Sequence, residues 1–426
     1  MVELRILRKD TPAILEAYRK RNLDESALQL VKEIIDLDDR RKAQQSILDE
    51  TLSQLNGLSK QIGVLFSSKK LDEVETLKKE VSQIKESSRS LELQLEETKK
   101  LIEEKLLLLP NVPNERVPHG KTAEDNEVYK TGNLPIPELP DGALPHWEIA
   151  KKFNLFDMEL GVKISGSGFI LYRGQGARLQ RALINFFLDE AANAGYEEIQ
   201  APLLVNADSA RGTGQLPDKE GQMYYAEKDE LYLIPTAEVP ITNIFRDDLI
   251  KQENFSYKLC GYTPCFRREA GSYGAHVKGL NRVHQFDKVE IVRIEHPEKS
   301  YEALEEMLNH VETLLNKLEL PYRILKLCGG DMGFASALTY DFEVFSAAQK
   351  RWLEVSSVSN FESFQTNRLK LRFKNLKGES VLAHSLNGSA LALARIVAAL
   401  LENHQTTEGI LIPKALQPYT GFEMIR

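Results

Sequence analysis

The 426-residue chain is 28% charged and 42% hydrophobic, the balance of a soluble globular protein long enough for two or three domains. A formal net charge of −8 argues against indiscriminate binding of nucleic acid, so any such contact must be a local basic patch. Three cysteines without CxxC spacing, and no apolar run near the roughly 20 residues of a membrane span, argue against a zinc site, secretion and membrane insertion, and lead us to expect a cytoplasmic protein.

From about Leu28 to Leu106 the only glycines are Gly57 and Gly63, and no proline occurs. Steps of three and four link Ile34, Leu37, Arg41, Gln44, Leu48, Thr51, Leu55, Leu58, Ile62 and Leu65 into a heptad seam. A second seam runs through Val74, Leu77, Val81, Ile84, Ser88, Leu91 and Leu95. The stretch Phe66–Lys70 between them turns the chain, which predicts an antiparallel helical hairpin. About 38 residues at 1.5 Å each make an arm of roughly 57 Å, too long to pack on one domain and so expected to project. Its outer half carries Lys60, Lys69, Lys70, Lys78, Lys79, Lys85 and Arg89 against Asp72, Glu73, Glu75, Glu80 and Glu86, a slight basic excess. On charge alone, solvated coiled-coil flanks and an RNA-backbone contact are equal readings.

Prolines and glycines crowd residues 110–145, which read as a linker. Gly120-Lys121-Thr122 lacks the upstream glycine of a phosphate loop, and His146 reads as structural. A strand, a turn, a long helix and a strand follow. Leu179, Leu183, Ile184, Phe187 and Leu188 form the helix's apolar stripe, which ends at Gly195. Pro202 is expected at the edge or end of the following strand, and Gly212–Pro217 as a mobile loop.

Thr236-Ala237-Glu238 offers a carboxylate for an ammonium group and a hydroxyl beside it; the same residues can cap a helix start. Next comes a strand ending in Arg267, Arg268 and Glu269, then a glycine-containing loop. A returning antiparallel strand alternates Val283, Gln285, Lys288 and Glu290 with Phe286 and Val289. A guanidinium fork in this hairpin matches a phosphate, and a carboxylate accepts from an amine; an exposed cross-strand ion pair is the bland alternative. After an amphipathic helix come the strands DFEVF and WLEVSS. Glu354 and Ser357, three apart, face the same way only through a bulge. Finally a strand is expected to end at Ser385, with a turn at Asn387-Gly388-Ser389 and an alanine- and leucine-rich helix from Ala390 that holds Arg395.

The segment about 258–290, with Arg267, Glu269 and its HQFDKVE strand, resembles motif 2 of the class II aminoacyl-tRNA synthetases, specifically of the seryl-tRNA synthetase family, bacterial type. Thr-Ala-Glu, the EVSS stretch, the segment about 178–204 (motif 1), the segment about 382–402 (motif 3) and the N-terminal heptad hairpin match in the same order, so the resemblance covers essentially the whole chain. It implies an α+β protein. Residues 1–109 would form a tRNA-binding domain with the coiled-coil arm, and 110–145 a linker. Residues 146–426 would form a catalytic domain on a mostly antiparallel sheet flanked by helices, dimeric through motif 1.

The implied reaction joins L-serine to ATP as seryl-adenylate and then passes seryl to tRNA(Ser), and to tRNA(Sec) where that exists. Thr236, Ala237, Glu238, Glu290 and Ser389 would hold serine. Arg267, Arg268, Glu269, Val283, Phe286, Glu354, Val355, Ser356, Ser357 and Arg395 would hold ATP, with Arg267 and Arg395 catalytic and Glu354 on Mg2+. Lys69, Lys70, Lys78 and Lys79 would meet tRNA. Arg268 stands where bacterial relatives more often carry serine, so it either adds a phosphate contact or turns away. The competing functions are a synthetase-like ligase that loads another acceptor and a catalytically silent RNA-binding coiled-coil protein; the arm could also serve as a dimerisation device or a handle for a partner protein.

Overall fold

A computed structural model of the chain describes residues 1–218, 221–268 and 277–426. They divide into two compact units, one of residues 2–16 and 23–110, the other of Met1, residues 17–22 and 111–426.

The first unit is built on helices. Short α1 (Leu4–Lys9) and the start of α2 (Thr11–Lys20), whose residues 17–20 count with the second unit, precede α3 (Glu25–Ser67) and α4 (Leu71–Leu107). The Asp24 side chain caps α3 by accepting from the Ala27 N–H at 2.9 Å. All the residues expected in the two seams are buried or half-buried. Off-seam Ile47 and Val64 are 50% and 66% exposed, as a stripe narrowed to one face of each helix requires. At the base of the hairpin the buried Asp38 carboxylate meets Arg41 at 2.8 Å, Lys42 at 3.0 Å and Arg8 of α1 at 3.1 Å. The turn is tighter than expected. Phe66 and Ser67 complete the last turn of α3, and Lys69 reverses the chain with a left-handed φ of 59°.

The second unit centres on an eight-stranded sheet. In chain order its strands are β1 (Glu127–Thr131), β2 (Glu197–Glu198), β3 (Tyr257–Phe266), β4 (Gln285–Glu295), β5 (Tyr322–Lys326), β6 (Leu338–Ser346), β7 (Arg351–Glu362) and β8 (His384–Ala392). They lie side by side as β1-β5-β6-β7-β8-β4-β3-β2. Every neighbouring pair is antiparallel except β3 and β2. Helices α6 (Gly174–Asn193), α9 (Ser300–Lys317) and α11 (Leu393–Asn403) pack on the sheet. Smaller helices frame the site: α5 (His146–Phe153), α7 (Ala207–Thr213), α8 (Glu238–Thr242) and α10 (Phe364–Leu369). Apart from Arg395, every residue of α11 is buried, so the helix belongs to the core and holds that guanidinium at a fixed depth.

Four expectations need correction. The stretch 110–145 is no free linker: from Asn111 it belongs to the second unit, the buried Asn111 amide donates to the Ala335 and Phe361 carbonyls at 2.9 and 2.8 Å, and Glu127–Thr131 adds the edge strand β1. Pro202 lies between two short strands and in neither, since it has no N–H for a ladder. Arg211–Thr213 end helix α7, with only Gly214 left-handed behind it. Asn387-Gly388-Ser389 is no turn. It lies inside β8, paired with β4 on one side, and Asn387 and Gly388 also pair with β7 on the other, because two ladders satisfy a backbone that a local turn would satisfy only once.

The seam predicts a contrast between neighbours. Leu48→Ala should destabilise the hairpin by about 2–4 kcal/mol and Ile47→Ala by under about 0.5 kcal/mol, as read from urea unfolding of the full chain by circular dichroism.

Candidate active site

Strand alternation places Phe286, Lys288 and Glu290 of β4 toward a cleft of about 810 Å³. Neighbouring β8 adds Asn387 and Ser389, α8 begins there with Thr236 and Glu238, and Arg267 follows the end of β3. These residues converge on two carboxylates. Glu290, fully buried, accepts from the Thr236 hydroxyl at 2.8 Å, from the Asn387 amide at 2.8 Å, and from the Lys288 ammonium at 2.5 Å. Glu238 accepts from the Gln365 amide of α10 at 2.6 Å and from the same Asn387 amide at 3.1 Å. Asn387 therefore bridges the pair.

Two carboxylates against one buried ammonium leave this end of the cleft electron-rich, a seat for a further cation. Burial first, and then the neighbouring Glu290, push the Glu238 carboxyl up to about 7, with Gln365, Lys288 and Arg267 opposing. Thr236 serves both readings of its motif, because its hydroxyl donates to Glu290 while accepting from the Glu238 N–H at 3.2 Å.

The other end is more open. Between β6 and β7 the register slips by one residue, so Phe342 faces Ser356 while Glu343 faces Glu354, and Val355 is the extra residue. That is the bulge which the spacing of Glu354 and Ser357 requires, and Glu354, Val355, Ser356 and Ser357 all line the cleft. The Arg395 guanidinium donates to the Glu354 carbonyl at 2.7 Å and lies 3.6 Å from its carboxylate. Arg267 donates through Nε to the Pro235 carbonyl at 3.3 Å and sits 5.4 Å from the Phe286 ring centroid. Val283 closes the same wall.

Two expected residues face elsewhere. The Ala237 side chain packs in a hydrophobic cluster with Ile241 and Phe245, because the first turn of α8 points its neighbours Thr236 and Glu238 the other way. Arg268 lies over Tyr224, 4.8 Å from the ring centroid, and does not line the cleft. Glu269 lies outside the described residues. Lys69, Lys70, Lys78 and Lys79 are exposed on the hairpin unit, Lys70 pairing with Glu73 at 2.9 Å.

Sequence reasoning assigned no role to Lys288, Asn387 or Gln365. Lys288 stands two residues before Glu290 on one strand face and was open to period-two reasoning; Gln365 reaches Glu238 only through the tertiary fold.

Beyond the geometry, residues 1–113 match the family model described as seryl-tRNA synthetase N-terminal domain, and residues 223–404 the model described as tRNA synthetase class II core domain (G, H, P, S and T). The chain is 49% identical to a serine–tRNA ligase of Salinibacter ruber, over 100% of this chain and 99% of that one. Its fold is similar to that of a seryl-tRNA synthetase of Pyrococcus horikoshii complexed with ATP, with a TM-score of 0.94, 31% identity and coverage of 100% and 99%. A serine–tRNA ligase of Naegleria fowleri in complex with AMP matches with a TM-score of 0.89, 26% identity and the same coverage.

Because Glu238 binds its proton more tightly folded than unfolded, stability should fall as pH rises from about 4.5 to about 7. Glu238→Gln cannot ionise, so it should flatten this dependence, measured as urea midpoints across pH.

Proposed function

The chain belongs to the seryl-tRNA synthetase family of class II aminoacyl-tRNA synthetases, and on that premise we propose that its cleft activates L-serine with ATP and passes the seryl group to tRNA. The observation that carries this reading is the polarity of one cleft: two enclosed carboxylates at one end, and Arg395 beside Glu354 at the other, with Arg267 on the wall.

In this reading the serine ammonium binds between Glu238 and Glu290, completing the charge balance that Lys288 leaves unmet. The side-chain hydroxyl meets Ser389 and the Thr236 side of the pocket. An alanine would strand those polar groups unpaired, whereas threonine must be rejected by shape. Arg267 holds the serine carboxylate against the α-phosphate, with Phe286 and Val283 along the adenine. Attack of a carboxylate oxygen on the α-phosphorus forms seryl-adenylate and releases pyrophosphate, whose charge Arg395 stabilises. Attack of the terminal tRNA ribose hydroxyl on the adenylate carbonyl then releases AMP. Positioning and fixed charge supply most of the acceleration.

The residues present fit Mg2+ held largely by phosphate. Among the described residues no group of three or more acidic, histidine or cysteine side chains could cage a metal. Glu354 is 51% exposed and offers a hard oxygen ligand. Nearby, Asp341 has a buried Oδ1 that meets no hydrogen-bond partner among the described residues, and burial and then Glu354 raise its carboxyl well above the usual range. A bound Mg2+ would neutralise charge on the transferring phosphates and relieve this crowding.

We assign residues 1–109 to tRNA binding, with Lys69, Lys70, Lys78 and Lys79 on the RNA backbone of tRNA(Ser) and of tRNA(Sec) where a cell makes it. The helix and following segment of about 178–204 are assigned to a homodimer interface, and the protein to the cytoplasm. The match of residues 1–113 to the N-terminal domain model favours this acceptor over a carrier protein.

Pyrophosphate exchange should run with serine and not with alanine, glycine or threonine. Arg267→Ala should lower kcat/KM by about a hundredfold or more; exchange indifferent to the amino acid would sink the reading. Separately, replacing Lys69, Lys70, Lys78 and Lys79 by glutamate should leave pyrophosphate exchange intact. The same variant should raise the KM for tRNA and flatten its dependence on salt in aminoacylation assays.

A further inference from the structure

His146 opens helix α5 and is wholly enclosed. Its Nε2 accepts the Leu280 backbone N–H at 2.9 Å, so the ring proton is on Nδ1, which donates to Glu402 Oε1 at 2.7 Å. Glu402, near the end of α11, also accepts from the His146 N–H at 3.0 Å, from the Gln349 amide at 3.0 Å and from the Ser346 hydroxyl. Gln349 in turn accepts from the Asn281 amide at 2.9 Å. The Asn281 carbonyl accepts from Arg395 Nε at 3.0 Å, and Arg395 sits two turns before Glu402 on the same helix.

Consecutive residues of one cleft wall are thus gripped from both ends of α11: the Leu280 N–H through His146 and Glu402, the Asn281 C=O directly by Arg395. Gly279 has a φ of 68°, and a Cβ there would lie 2.2 Å from His146 Nε2, so the imidazole occupies the space a side chain would need. Leu280, Asn281, Arg282 and Val283 all line the cleft.

We infer that His146, with Glu402 and Gln349, is a positioning residue for the nucleotide end of the cleft: it sets the 280–283 wall against Arg395 and so tunes the binding of ATP rather than of the amino acid. The inference rests on the reading of the cleft as an adenylating site. The serine end is served by other elements, β4, β8, α8 and α10, whose polar contacts to Glu238 and Glu290 among the described residues do not pass through His146. Its loss should therefore separate the two substrates.

The test compares full-length His146→Leu, which removes both ring nitrogens, with His146→Gln, which keeps an acceptor for Leu280. His146→Leu should raise the KM for ATP in pyrophosphate exchange about tenfold, the cost of one well-made buried hydrogen bond, with the KM for serine within about twofold. It should also speed deuterium uptake over 277–283, and His146→Gln should recover most of both effects. Gln349→Met, at a less enclosed position, tests the same chain of bonds should His146→Leu fail to fold, with a smaller rise for ATP alone. Equal changes for both substrates, or unchanged uptake over 277–283, would overturn the inference. If the unaltered protein exchanges no pyrophosphate, the adenylation reading fails by itself; deuterium uptake then still decides whether His146 holds this wall.

Discussion

Two like charges buried side by side are the constraint around which the second unit is arranged. Glu238 and Glu290 can share a water-poor floor only if donors arrive from several directions, and those donors come from β8, β4, the start of α8 and α10. Placing β8 next to β4 brings the Asn387 amide between both carboxylates, and the β3–β4 pairing brings Arg267 to the same wall. The charge that remains is met in the free protein by the proton Glu238 retains up to about pH 7. A bound ammonium would displace that proton, so binding a cationic substrate is coupled to proton release.

The two ends of the cleft differ in enclosure as they do in chemistry. Glu290 is fully buried, whereas the Glu354 and Arg395 side chains are 51% and 32% exposed. An enclosed end discriminates among small ligands by unpaired groups and by shape. An open, charged end grips phosphates that also meet solvent and metal.

Much of this was legible where a local period or a local chemical contradiction existed. The heptad seams followed from spacing alone, and the bulge at Val355 was implied by Glu354 and Ser357 having to face one way. What failed was decided by pairing partners far away in the chain. Residues 127–131 expose every side chain and join the sheet through backbone bonds to β5, so the alternation of a half-buried strand is missing and only Val128, Tyr129 and Thr131 hint at one among the neighbouring prolines and glycines. Asn387-Gly388 carries turn chemistry, yet β4 and β7 hold it extended from both sides. Gln365 has no signal, because its role is defined by a carboxylate over a hundred residues away.

Asn387-Gly388 is also the dipeptide most prone to deamidation in a mobile chain, since the glycine N–H readily attacks the asparagine side chain when the backbone can fold back on itself. Inside β8 the backbone is held extended and both hydrogens of the amide are committed to carboxylates, so the native fold suppresses this chemistry. Each episode of unfolding lifts that protection. A single event would convert the bridging donor into a third carboxylate beside Glu238 and Glu290, and no refolding would reverse it. The residue that joins the two halves of the pocket is therefore also a record of how often this unit of the chain has opened, unlike the exposed Asn56-Gly57 pair of the hairpin helix, which no such sheet encloses.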